Sequence, residues 1–333
     1  MRRVGITTTI PAEFIFAAGG VPVDLNNIFI ADAAPMGMLE RAERGGLPRA
    51  VCGWIKGMYG AALAANVESV IAVSDGDCSH TRSLAEILGT EGVKSIPFAY
   101  PYDRDYGLLK RQMDKLAAFF GITFADAEAM MRRMDRIRKK LHRIDEMTWR
   151  ENTVTGFENH LFLVSASDMD GDMERFEQKV DAFMAEAAAR EPLPQTIRLA
   201  YIGVPPIFTD IYQFLETRGA RVIFNEVQRQ FTFPFETGDL VERYRRYTYP
   251  YDVFSRVRDI EAEISRRGVH GVVHYVQSFC HHQMEDVVFR KHLAGLPLLT
   301  VEGDAPGPLD ARTRLRIEGF CEMLGSKRRK AAS

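Results

Sequence analysis

Short, unbroken apolar runs punctuate this chain where alternating hydrophobic and polar positions would mark exposed sheet. In the first half they fall at residues 4–7, 21–25, 69–74 and 95–100. In the second they fall at 197–204, 221–226, 271–277 and 296–302. Runs of this kind predict strands covered on both faces, as in parallel sheets. Between them the apolar spacing changes to three and four. Thr9 and Pro11 open a short helix over 12–18, which Gly19-Gly20 ends. Helical spacing also covers 53–65, 81–88, 283–292 and 312–324. Pro205-Pro206 breaks the fifth strand, and a helix is expected over 207–217, before Gly219.

The two halves share an outline. Gly5 and Gly203 stand 198 residues apart, Gly20 and Gly219 199 apart, and Cys78 and Cys280 202 apart. The near-constant offset suggests two copies of one α/β architecture. A helical region lies between them. Residues 125–146 place Ala129, Met130, Met134, Ile137, Leu141 and Ile144 on one face. Arg132, Arg133, Arg136, Arg138, Lys139, Lys140 and Arg143 form the other, which reads as a solvated stripe. Residues 157–166 and 173–189 are also expected to be helical. Glu191-Pro-Leu-Pro194 reads as a hinge. The expected division is an N-terminal α/β domain over 1–194, with a helical insertion at about 105–190, and a C-terminal α/β domain over 195–333.

Composition narrows the function. With 43 Lys and Arg against 45 Asp and Glu the chain has a net charge of −2, which argues against a nucleic-acid binder. No apolar stretch approaches the roughly 18 residues of a membrane span. Met1-Arg-Arg-Val-Gly5 is not followed by an apolar segment, so no signal peptide is expected. A cytoplasmic protein without disulfides is the reading.

Four cysteines carry the candidate chemistry, and none lies in a Cys-x-x-Cys pair. Cys78, in Asp75-Gly-Asp-Cys-Ser-His80, and Cys280, in Gln277-Ser-Phe-Cys-His-His282, each follow an expected strand and precede an expected helix. Cys52 opens the helix after Gly45-Gly-Leu-Pro48. The carboxyl edge of a parallel sheet is where ligands bind. Helix N-termini offer free N–H groups and positive potential, which lower a thiol pKa and favour thiolate. Such thiolates suit an iron–sulfur cluster. Zinc, with His80, His281 or His282 as a further ligand, is the competing reading. Cys321 lies on an amphipathic helix and reads as a small core residue. Asp77 reads as a helix cap, and so do Ser79 and Ser278. Glu302, Asp304 and Asp310 surround the turn at Pro306-Gly-Pro308.

Five segments resemble the 2-hydroxyacyl-CoA dehydratase and benzoyl-CoA reductase family, and in particular its 2-hydroxyglutaryl-CoA dehydratase D-component-like chains. They are the opening Pro11-Ala-Glu-Phe-Ile-Phe-Ala-Ala-Gly-Gly-Val-Pro22, Cys52-Gly-Trp-Ile-Lys-Gly57, Asp75-Gly-Asp-Cys78, Gln277-Ser-Phe-Cys-His-His-Gln-Met-Glu-Asp286, and the closing stretch from Glu302 to Phe320. The resemblance implies an α/β fold of two Rossmann-like domains, with parallel four-stranded sheets and helical additions. It implies one 4Fe-4S cluster per chain, held by Cys52, Cys78 and Cys280. It implies an iron–sulfur subunit that eliminates water from a 2-hydroxyacyl-CoA by radical (ketyl) chemistry. One-electron activation would come from an ATP-dependent activator protein with its own iron–sulfur cluster. The implied partners are that activator, an identical or paralogous second subunit in a dimer, and an acyl-CoA substrate, with no nucleic acid and no membrane. Within the same resemblance, a double-cubane-type small-molecule reductase and a non-catalytic electron-carrying subunit are the alternatives. No residue is assigned as the catalytic acid or base.

Overall fold

The computed structural model describes residues 2–194 and 197–332. Among the described residues, eight strands form two sheets. β1 (Arg3–Ile6), β2 (Val21–Asp24), β3 (Ser69–Asp75) and β4 (Lys94–Ala99) make the first. β5 (Ile197–Gly203), β6 (Ala220–Asn225), β7 (Gly271–Gln277) and β8 (Leu298–Gly303) make the second. The orders are β2-β1-β3-β4 and β6-β5-β7-β8, and every pairing is parallel. Helices flank both sheets, so this is the expected α/β fold of two Rossmann-like units.

The internal repeat is visible in the register. Val4 pairs with Ser69, the first residue of β3, and Leu199 pairs with Gly271, the first residue of β7. Cys78 and Cys280 each stand nine residues beyond those starting positions. Gly20 and Gly219 each directly precede the second strand of their sheet. Gly5 and Gly203 are not equivalent, because the pairing places Gly5 opposite Val70 and Ala200 opposite Val272. Gly203 serves a local need. Its φ is +94°, and a Cβ there would come within 2.2 Å of the Tyr275 carbonyl oxygen.

The helix expected over 207–217 begins only at Ile211 and runs to Glu216. Pro205 and Pro206 leave an extended segment, and Phe208 forms a parallel bridge with Gly307 across the chain. The helices Leu25–Ala31, Pro35–Arg44 and Val253–Arg267 went unread in the sequence.

The helix Phe124–Glu146 ties the halves together. It starts from a capping box of Thr123 and Asp126. Arg138, expected on a solvated stripe, is instead buried and bonds Glu13 at 2.9 Å in the first half. The helix turns enough between residues 136 and 138 to carry Arg138 onto the covered face. One end further on, Asp145 meets Arg267 of the second half through two bonds of 2.9 and 2.5 Å. Arg267 is fully buried and also bonds Glu263 at 2.7 Å.

Arg267→Ala is expected to destabilise the chain by about 3–5 kcal/mol, because it leaves Asp145 and Glu263 buried without their cation. A drop in the denaturant midpoint at unchanged slope measures it.

Candidate functional site

The carboxyl ends of the two sheets face a common cavity of about 110 Å3. Thr7 and Thr8 follow β1, Asp24 ends β2, Asp77 and Cys78 follow β3, and Val204 to Pro206 follow β5. Gln277, Cys280 and His282 come from β7 and the turn beyond it. In each sheet the strand order reverses between the first and third strands, the usual crevice for ligands in such folds. Cys52 and Trp54 enter from the helix Gly53–Ala64. Gly53 allows this approach, since a Cβ would lie 2.4 Å from the Asp304 carbonyl oxygen in the other half. That carbonyl also accepts from Gln277 Nε2 at 2.8 Å, and Gln277 in turn accepts from the Tyr275 hydroxyl at 2.7 Å. The cysteine-bearing segments are thus locked to one another. Cys52, Cys78 and Cys280 all line the cavity, whereas Cys321 is buried in the helix Ala311–Ala332, away from it.

The helix termini do not lower the thiols as the sequence suggested. Burial pushes Cys52 up, Cys78 up to about 11 and Cys280 up to about 12. Backbone amides act in the opposite direction and lose. Those of Trp54 and Ile55 face Cys52, that of His80 faces Cys78, and that of His282 faces Cys280. No cap hydrogen bond closes at Cys52 or Cys280. The thiols also raise one another, which places their sulfurs in a common field. Without a positive centre between them they stay protonated.

A buried charge chain ends at this site. Glu226 grips Arg256 through bonds of 2.6 and 2.9 Å, and both side chains are about 1% exposed. Arg256 also pairs with Glu285. Burial opposes ionisation of Glu285, but Arg256 and His282 outweigh it and hold the carboxyl down to about 2. His282 meets Glu285 through Nδ1 at 2.9 Å and the Asp77 carbonyl oxygen through Nε2 at 3.0 Å. Both partners accept, so each ring nitrogen is placed to donate. Tyr249 stacks on the ring at 5.2 Å. One imidazole thereby bridges the segments of Cys78 and Cys280.

Asp77 does not cap a helix. The residue before the helix Thr81–Thr90 is His80, whose side chain makes no cap bond, and Asp77 lines the cavity instead. Burial pushes its carboxyl up to about 6, against the pull of His282 and Thr8. Ser278 donates to Glu302 at 2.8 Å, and Asp310 receives the Thr313 amide at 2.9 Å. His281 is exposed, and its ring lies tilted against that of His282 with centroids 4.1 Å apart. Asp24, His160 and Tyr249 also reach the cavity. They were invisible in the sequence, for each comes from a distant segment without a motif.

Among the described residues, no group of three or more His, Cys, Asp or Glu side chains is drawn together as the ligands of one metal ion would be. A single zinc needs four ligands converging at about 2.0–2.3 Å. Three cysteines lining one cavity offer the thiolate donor set of a polynuclear centre. The indole N–H of Trp54 points the same way: it is buried, has no acceptor among the described residues, and belongs to a cavity-lining residue. Such a donor suits the sulfur-rich, negatively charged surface of an iron–sulfur cluster. The residues present fit that group.

In the metal-free chain, Cys78 is expected to alkylate with iodoacetamide far more slowly at about pH 8 than an unperturbed thiol, because its thiolate fraction there is on the order of one in a thousand. The rate should climb about tenfold per pH unit, read by peptide mass spectrometry. Gly53→Val should separate the Cys52 helix from Asp304 and abolish metal retention while the far-ultraviolet spectrum stays unchanged.

No curated protein matches the sequence. Among solved structures, a periplasmic heme binding protein from Pseudomonas aeruginosa aligns over 98% of this chain and 93% of its own. The identity is 15% and the TM-score 0.26, a likeness that adds nothing to the assignment. The sequence matches the 2-hydroxyglutaryl-CoA dehydratase D-component over residues 7–324, a span containing β2 to β8 and every residue of the cavity. The chain belongs to the 2-hydroxyglutaryl-CoA dehydratase D-component family.

Proposed function

We propose that this chain is the iron–sulfur subunit of a 2-hydroxyacyl-CoA dehydratase, with Cys52, Cys78 and Cys280 holding one 4Fe-4S cluster. The observation that carries the reading is the meeting of three cysteines, from three separate segments and both sheets, round one cavity. When bound, such a cluster supplies low-potential one-electron chemistry and an iron without a protein thiolate. The residues of the chain do the rest. Ile30, Ile55, Met58, Val164 and Phe231 wall the cavity with apolar surface and keep bulk water out. His282, hydrogen-bonded to Glu285 and to the Asp77 carbonyl, fixes the position of the Cys280 turn against the Cys78 segment. In this reading the acyl end of the thioester enters beside the cluster, and the nucleotide portion of coenzyme A stays outside the cavity.

In this reading residues 1–194, with a helical insertion at about 105–190, and residues 195–333 are two domains that meet at the cavity. An ATP-dependent activator delivers the electron, and a second chain, identical or related, completes the enzyme. Among the described residues no helix is long and apolar enough to cross a membrane.

The test is turnover. The anaerobically purified chain, mixed with an ATP-dependent activator and a related subunit, should convert a 2-hydroxyacyl-CoA to the enoyl-CoA plus water. Cys280→Ser should reduce the rate by at least about 100-fold, the scale on which a catalytic group counts, and Cys321→Ser should leave it unchanged. A Cys280→Ser chain as active as wild type would contradict the assignment.

A further inference from the structure

Two carboxyl groups beside the cavity have no cation. Asp24 is 3% exposed and Asp168 is 6% exposed. The other deeply buried carboxylates each face an arginine: Glu13 has Arg138, Asp145 and Glu263 have Arg267, and Glu226 has Arg256. Among the described residues, neither Asp24 nor Asp168 lies in an ion pair. They are instead pressed together. The Asp24 backbone N–H donates to Asp168 Oδ2 at 2.8 Å, and Asp168 Oδ1 receives the Asp170 amide at 3.1 Å. Met169 and Asp170 adopt φ of +49° and +53° to hold this turn against β2. Left-handed backbone at non-glycine residues costs about 1–3 kcal/mol each and persists where the surroundings enforce it.

The hydrogen-bond count places a proton here. Asp24 Oδ1 already receives the Asn26 amide at 2.9 Å and the Asn26 side chain at 3.0 Å. Asp24 Oδ2 stands 2.6 Å from Ser167 Oγ. That hydroxyl has one proton and a second acceptor, the Val164 carbonyl oxygen at 3.0 Å. Both contacts are satisfied if Asp24 is protonated and donates to Ser167, which then donates to Val164. Burial raises both acids, and the charge of Asp24 raises Asp168 further. The other groups in their field are also acidic: Asp77 across the cavity, Tyr247, and Asp170, which Lys179 neutralises at 2.7 Å on the surface. The Asp24 backbone amide brings the Asp168 carboxyl beside Asp24, and two neighbouring buried carboxyls do not both ionise without a cation.

Asp24 opens onto the cavity, and His160 faces it from another wall. His160 is 8% exposed, and burial holds it down to about 4, so it is neutral. Nδ1 meets Gln228 Nε2 at 3.0 Å, and among the described residues Nε2 has no hydrogen-bond partner. A free ring nitrogen on a cavity-lining residue can meet a polar group of a ligand there.

We propose that Asp24 and Asp168 share one proton, and that Asp24 exchanges it with the molecule in the cavity as acid and base of the dehydration. This rests on the dehydratase reading above. The carbon–oxygen bond at the hydroxyl-bearing carbon breaks, and the hydroxyl leaves as water with the proton of Asp24. The neighbouring carbon loses a proton, which returns to Asp24, and a carbon–carbon double bond forms. The sum is redox-neutral, and the pair ends as it began. Asp168 is a positioning residue that keeps the proton on Asp24.

Infrared spectroscopy of the full chain, metal-free and at neutral pH, tests the stored proton. The wild type should show the carbonyl stretch of a buried protonated carboxyl, and Asp24→Asn and Asp168→Asn should each lose it. Turnover of a 2-hydroxyacyl-CoA by the iron-loaded chain, with the ATP-dependent activator and the related subunit present, tests the role. Asp24→Asn should lower kcat by about 100-fold or more, with iron content and KM unchanged. Asp168→Asn removes the repulsion, so its alkaline activity limb should move to lower pH. This second variant carries the test if Asp24→Asn fails to fold. A wild type without the band, an Asp24→Asn chain with wild-type kcat, or an unmoved limb in Asp168→Asn would each overturn the proposal. A chain with the band and full iron but no turnover of any hydroxyacyl thioester would overturn the dehydratase reading and the catalytic role, and leave the stored proton standing.

Discussion

The helix Phe124–Glu146 carries two buried charges of opposite sign, one paired to each half of the chain. Arg138 reaches Glu13 beside the first sheet, and Asp145 reaches Arg267 beside the second. Buried ion pairs add little net stability over apolar packing, but breaking one is costly, so they define position strongly. Their effect here is geometric. They hold two similar sheets with their carboxyl ends toward one space. The cavity and the meeting of the three cysteines follow from that arrangement. The closer contacts at Gly53 and Gln277 refine a geometry the helix has already imposed.

Electrostatics within the site run against the empty state. Burial keeps three thiols protonated, and the N–H groups aimed at them are too weak to reverse this. A positively charged metal centre inverts that balance, so loading must release protons and bind more tightly as pH rises. His282 is fixed between the two cysteine segments, because Glu285 and the Asp77 carbonyl hold its ring through a chain anchored at Arg256 and Glu226. In the proposed reading the site takes a cluster with thiolate ligands, and its own residues resist forming thiolates alone.

Much of this was legible in the sequence, and the limits are physical. All eight strands stand within two residues of their expected bounds, because buried parallel strands need continuous apolar runs. Cys78 and Cys280 were matched correctly across the repeat, and Cys321 was set aside as a core residue, as its burial bears out. Gly5 and Gly203 were matched wrongly, because Gly203 answers to Tyr275 and not to a repeat position. The helix after Pro206 was placed four residues early, since the bridge from Phe208 to Gly307 is a long-range contact with no local signal. Arg138 looked solvated because a stripe of charges hides the one that turns inward. The direction of the thiol shifts depends on burial, which no local pattern reports. Asp24 and Asp168 are joined across 144 residues.

The most direct measurement of the central claim is the iron and acid-labile sulfide content of the anaerobically purified chain, repeated on the single serine variants of all four cysteines. About four irons and four sulfides per chain are expected, lost or degraded in Cys52→Ser, Cys78→Ser and Cys280→Ser and kept in Cys321→Ser. Zinc in place of iron, or iron retained in full by all four variants, would contradict the account.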